Sequence, residues 1–220
     1  MDKSLIVAVA SSASDLEAVS ELLSALPAEC GAALIIVHQL DSGREKLLAG
    51  SLAERTILPV MQARDGVLVE QDHVYVITAN TTLTMSGGRI RVIPKGSGLH
   101  HPGDILFTSL AKERGHSAIG VVLSGEGSDG ALGIRAIKQG GGATFAQYPG
   151  SARFPGMPIS AIETGCVGFV LRPNEIAREL TCQSRQTTSA ADGARCALVV
   201  DDNAGLSHRR ITASRSSIAS

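Results

Sequence analysis

Three short runs constrain this chain more than any other feature: Leu5–Ala10 (LIVAVA), Leu34–Val37 (LIIV) and Ala118–Leu123 (AIGVVL). None contains a polar side chain, so none can turn an alternate face to water. Strands of this kind are covered on both sides, as in a parallel sheet sandwiched by helices. The intervening segments supply the helices. Ser14-Asp15-Leu16-Glu17 has the form of a capping box with Ser14 as the cap, and Leu16, Val19, Leu22, Leu23 and Leu26 then recur at helical spacing before Pro27. Ser42-Gly43-Arg44-Glu45 repeats the form and opens a helix to about Arg55. Further helices are expected over Asp104–Arg114, Ala131–Gln139, Ile159–Thr164 and Asn174–Leu180, and further strands over Ala143–Gln147 and Val167–Leu171. The middle differs: after a strand at Val74–Thr78, Thr82–Met85 and Arg89–Ile93 flank Ser86-Gly87-Gly88 and read as a hairpin. The expected fold is α/β: an open, mainly parallel, doubly wound sheet with right-handed crossovers and a small antiparallel hairpin annex.

Composition narrows the class. Hydrophobic residues make up 44% of the 220 residues while aromatics make up 3% and Trp is absent, so aliphatic side chains fill the core. A net charge of -1 supplies no general attraction to nucleic acid or to an acidic membrane surface. No apolar run approaches the roughly 20 residues that span a bilayer. The N-terminal apolar run has strand character, so it reads as the first buried strand rather than a signal peptide, and a cytoplasmic location is expected. Cys30, Cys166, Cys182 and Cys196 form no C-x-x-C pair and no metal-ligand spacing, which fits free thiols in a reducing compartment. Three regions are expected: a folded domain over 1–182, a Ser/Thr/Gln/Arg-rich linker over 183–196, and a tail over 197–220. In the tail, Ala197–Val200 followed by Asp201-Asp202 resembles the truncated start of a phospho-acceptor receiver domain.

Chemistry concentrates at strand ends. Gly125, Gly127 and Gly130 in LSGEGSDGALG have the G-x-G-x-x-G spacing of a dinucleotide loop. Such a loop aims backbone amides and a helix N-terminus at a pyrophosphate, and Glu126 and Asp129 would repel that anion. The loop can equally be a plain tight turn, or a platform that presents Asp129 to a histidine. Ser12 lies in the turn from the first strand to its helix (Ala10–Asp15), where a hydroxyl can act as a nucleophile or simply cap the turn. His38 ends the second strand. An alcohol, an imidazole and a carboxylate at three such ends, Ser12, His38 and Asp129, are the parts of an acyl-transfer triad. His73, His100, His101, His116 and His208 show no partners in the sequence, and the adjacent pair His100-His101 lacks a third ligand for a metal.

Five segments then carry a resemblance: IVAVASSASDLEAV, LIIVHQLDSGREKLL, ARDGVLVEQDHVYVI, AIGVVLSGEGSDGALGIRAIKQGGG and ARFPGMPISAI. Residues from about 5 to 181 resemble the catalytic domain of the chemotaxis protein-glutamate methylesterases (CheB-type), particularly the form fused to methyltransferases. The resemblance implies hydrolysis of glutamyl methyl esters on the cytoplasmic domain of a methylated chemoreceptor, or on a related signalling protein. It implies a Ser-His-Asp triad with Ser12 as nucleophile and Asp129 as its carboxylate, and neither metal nor cofactor.

Three positions depart from the family pattern. Ser14-Asp15 stands where the family has two glycines. Glu126 stands at a position that is usually uncharged. The second strand ends His38-Gln39 where the family has Gln-His, so Gln39 falls at the position of the catalytic histidine. Neighbouring side chains on a strand point to opposite faces, so His38 reaches the other two only through a bulge or a one-residue slip. These departures set beside the hydrolase a second expectation, a decayed domain kept for docking or regulation.

Overall fold

The computed structural model describes residues 5–12, 15–39, 45–77, 81–94 and 101–189. Its centre is a seven-stranded, all-parallel sheet. The strands are β1 (Leu5–Ser12), β2 (Ala32–Gln39), β3 (Val60–Gln62), β4 (Val74–Val76), β7 (Ala118–Val122), β8 (Ala143–Gln147) and β9 (Phe169–Leu171), in the order β3-β4-β2-β1-β7-β8-β9. A separate antiparallel hairpin is made of β5 (Thr81–Ser86) and β6 (Arg89–Pro94). Ser86 pairs with Arg89, and Gly87 and Gly88 both take positive φ (64° and 73°), as a two-residue turn that follows strand twist requires.

The helices are α1 (Leu16–Ser24), α2 (Glu45–Ala53), α3 (Pro102–Arg114), α4 (Ala131–Gln139), α5 (Gly156–Glu163) and α6 (Pro173–Ser189). The sheet separates two cores. Ile6, Ala8 and Ala10 of β1 and Ala33, Ile35 and Val37 of β2 face Leu106, Phe107 and Leu110 of α3, Ile134 and Ile137 of α4, and Met157 of α5. Leu5, Val7 and Val9, with Leu34 and Ile36, face Val19, Leu22 and Leu23 of α1 and Ile176 and Leu180 of α6. Each fully buried aliphatic side chain contributes about 1.5–3 kcal/mol, and both cores draw on the same central strands. That is why LIVAVA carries no polar residue.

The doubly wound sheet and its annex are as expected, and four local features differ from the sequence reading. The cap of α1 is Asp15, whose Oδ1 accepts from the Glu17 N–H at 3.1 Å; Ser14 lies outside the described residues. β3 is an added strand of three residues, too short to show a period. Helix α5 begins at Gly156, before the expected Ile159. Helix α6 runs on to Ser189, through the first part of the expected linker. A polar anchor extends it: the buried Ser184 hydroxyl meets the backbone carbonyl of Cys30 beside the start of β2. Residues 190–220, with Cys196 and Asp201-Asp202, lie outside the described part.

Candidate active site

The strand order reverses at β1, with β2 and the early strands on one side and β7 to β9 on the other. In open parallel sheets the crevice at such a switch point, beyond the carboxyl ends of the strands, is where ligands bind. Ser12 is the last residue of β1, and the loop Leu123–Gly130 leaves β7 beside it. The Ser12 N–H donates to the Ser124 carbonyl at 3.3 Å, which ties the two strand ends together.

Ser12 follows Ile6, Ala8 and Ala10 on the face covered by α3, α4 and α5. It is 8% exposed, and its Oγ is buried with no hydrogen-bond partner. A buried hydroxyl left unpaired costs free energy, so the position is not explained by capping or stability. Gly125 and Met157 close over it: a Cβ on Gly125 would fall 3.0 Å from the Ser12 Cβ and 2.2 Å from the Met157 Sδ. The segment ARFPGMP braces this wall. Gly125 donates to the Phe154 carbonyl and Met157 donates to the Gly125 carbonyl, both at 2.8 Å. Gln147, at the end of β8, accepts from the Ser124 N–H with its Oε1 at 2.8 Å.

Asp129 ends the glycine loop and is 5% exposed. Its Oδ2 accepts from the Gly103 N–H and its Oδ1 from the Asp104 N–H, each at 3.0 Å, so the carboxylate sits on the N-terminus of α3. Asp104 returns the arrangement: its Oδ1 accepts from the Gly133 N–H in the first turn of α4 at 2.8 Å. Each helix start is thus closed by a carboxylate from the other's segment. Burial raises the pKa of Asp104, and the neighbouring charge of Asp129 pushes the same way against the Gly133 hydrogen bond. A carboxylate on the first turn of α4 fills the place that a dinucleotide's pyrophosphate would need. The glycine loop therefore serves to set Asp129 and α4, with Gly130 supplying the left-handed turn at φ 91°.

His38 lies elsewhere. In register, Ser11 is opposite His38 and Ser12 opposite Gln39, with no bulge in the pairing. The His38 ring follows Leu34 and Ile36 toward the α1 face, where its Nδ1 shares a 2.8 Å hydrogen bond with the Ser11 Oγ. Both residues are 2% exposed. Burial lowers the His38 pKa from 6.5 to about 4, and the nearby charge of Asp15 only partly opposes this. Ser12 and Asp129 are brought to one face of the sheet, and His38 is held on the other.

One histidine that shows no partner in the sequence gains one in the fold. His101 precedes Pro102 at the start of α3, and its Nδ1 lies 3.9 Å from the Asp129 Oδ1. That Nδ1 is buried and makes no hydrogen bond, while the side chain as a whole is 34% exposed. His101, Asp104 and Asp129 each offer a ligand atom within 4.8 Å of the others, the one His/Cys/Asp/Glu cluster of that kind among the described residues. Both Asp129 oxygens and one Asp104 oxygen in that cluster already receive backbone N–H bonds. No sequence motif marks His101; its meaning appears only once α3 is packed across β1.

The strand order and the helices on both faces define an open, doubly wound α/β domain, with a serine at the switch point and a loop aspartate on the same face. The family is shown by sequence: residues 7–180 match the model for CheB methylesterase, and the chain belongs to that family. It is 36% identical over 186 residues to protein-glutamate methylesterase/protein-glutamine glutaminase 3 of Anaeromyxobacter dehalogenans, covering 82% of this chain and 54% of that protein. It is 34% identical over 181 residues to the corresponding Escherichia coli O157:H7 protein, covering 80% and 52%. The chain thus spans about half the length of these curated relatives. Its fold superposes on the Thermotoga maritima CheB methylesterase catalytic domain with a TM-score of 0.74 at 27% identity, over 80% of this chain and 97% of that one. Among the described residues no helix is long and apolar enough to cross a membrane.

Proposed function

We propose that this chain is a carboxyl-ester hydrolase of the protein-glutamate methylesterase type, acting on glutamyl methyl esters of a chemoreceptor or related signalling protein. The observation that carries the reading is Ser12: a buried hydroxyl without a hydrogen-bond partner, at the tip of the central strand, walled by Gly125 and Met157. In this reading a base removes the Ser12 proton and Oγ attacks the γ-carbonyl of the glutamyl ester. Methanol leaves with that proton, and water then releases the glutamate and restores the hydroxyl. Asp129 orients and charge-stabilises the imidazolium that forms on the way. The relatives' names pair ester hydrolysis with glutaminase activity, which is the same attack with ammonia as the leaving group.

A second reading is favoured by one observation: the His38 side chain is bonded to Ser11 and not to Ser12. In that reading the domain keeps the family's shape for docking or regulation and turns nothing over. Methanol release from a methylated receptor fragment separates the two. Turnover by the native chain that disappears in Ser12→Ala supports the hydrolase, and absence of turnover with retained receptor binding supports the docking module.

A further inference from the structure

The hydrolase reading lacks an imidazole from β2, because His38 is closed off on the far face with Ser11. The geometry of α3 supplies another. A Cβ on Gly103 would fall 2.9 Å from the Ala10 Cβ and 3.0 Å from the Asp129 Oδ1. Four residues on, Phe107 packs at Gly120, which is level with Ala8 in the register. Helix α3 therefore runs antiparallel to β1, and going backward along it leads toward the carboxyl ends of the strands. His101 lies two residues before Gly103, and Ser12 lies two residues after Ala10. Both step the same way from one contact, by about 6–7 Å on the strand.

We propose that His101 is the imidazole that serves Ser12, with Asp129 as the carboxylate that orients it. This rests on the hydrolase reading and extends it to a residue outside the expected triad. The Nδ1 faces Asp129 from a buried position with no other partner, so the exposed part of the side chain lies on its remaining atoms. With Nδ1–H directed to Asp129, Nε2 is free to take the Ser12 proton and pass it to the departing methoxide. The 3.9 Å separation closes by about 1 Å when substrate fills the cleft, as catalytic hydrogen bonds that are long in a free enzyme commonly do. Asp129 is already fixed by two N–H groups of the segment that carries His101, so ring and carboxylate move as one unit.

The test is the rate at which a fluorophosphonate labels Ser12 in the full chain, followed by mass spectrometry. The expected result is a fall of at least 100-fold in His101→Ala, partly restored by added imidazole, with His38→Gln within threefold of the native rate. Imidazole rescue separates a proton-transfer role from a structural one, and His101→Gln serves if the alanine variant does not fold. Labelling of His101→Ala at the native rate overturns the proposal and leaves the hydrolase reading standing. Labelling that His38→Gln abolishes, with the melting temperature unchanged, also overturns it. A native chain that is not labelled at Ser12 at all overturns both.

Discussion

Ser11 and His38 hold each other across the first two strands, Oγ to Nδ1 at 2.8 Å, on the face of the sheet turned away from Ser12. One residue of register decides this. Ser12 pairs with Gln39 and Ser11 with His38, so exchanging the two residues at the end of β2 exchanges which face the imidazole serves.

The pair makes stability depend on pH in a stated direction. His38 titrates near 4 in the folded chain and near 6.5 when unfolded, so the unfolded chain binds the extra proton between those values. Its contribution is complete above pH 6.5, is lost as pH falls through 4, and amounts to about 3 kcal/mol at the limit. Urea titrations should show a constant difference between the native chain and His38→Gln above pH 6.5, and the native chain should lose stability relative to the variant as pH falls from 6.5 to 4. Parallel curves across that range would mean that the buried ring is not the group responsible.

Ser12→Ala should leave the melting temperature unchanged or raise it. The hydroxyl makes no hydrogen bond, and its removal relieves a buried unpaired polar group, a gain of up to about 1 kcal/mol. Ser11→Ala should do the opposite, because it strips His38 of its partner at a cost of about 1–2 kcal/mol. Thermal denaturation of the two single variants checks both signs. Equal losses would show that Ser12 contributes to stability after all.

The fold was legible because covered strands and helices write different periods into a sequence, and LIVAVA, LIIV and AIGVVL each carry theirs plainly. The expected ends of β1 and β7 also placed Ser12 and Asp129 at the crevice. What escaped was of two kinds. Short or polar features leave no period: β3 has three residues, and α6 is prolonged past Leu180 with a polar anchor at Ser184. Pairings between distant segments leave no local trace, and His101 beside Asp129 is such a pairing, created by the crossing of α3 over β1. Strand parity did expose the difficulty with His38, but parity cannot name a replacement.

The crossed caps of α3 and α4 predict unequal effects for two aspartates. Asp129→Ala leaves the Gly103 and Asp104 amides without their acceptor and should cost roughly 3 kcal/mol. Asp104→Asn keeps an oxygen for the Gly133 N–H and removes a charge that burial and Asp129 both disfavour, so stability should hold or rise. Urea denaturation at neutral pH decides between this and a simple loss of two equivalent caps, in which both variants would fall together.

The seat of α3 on β1 can be tested at the glycine where the two meet. Gly103→Ala puts a methyl 2.9 Å from the Ala10 Cβ, and neither atom can rotate away because both are fixed to backbone. The helix start must lift, straining the two N–H bonds to Asp129, at a cost of about 1–3 kcal/mol. Ala10→Gly removes the opposing methyl and should recover much of that loss in the double variant, while alone it costs stability as a glycine in a strand does. A double-mutant cycle on melting temperatures measures the coupling. If the two losses simply add, α3 does not rest on Ala10, and the contact from which His101 and Ser12 both step toward the carboxyl ends of the strands is lost with it.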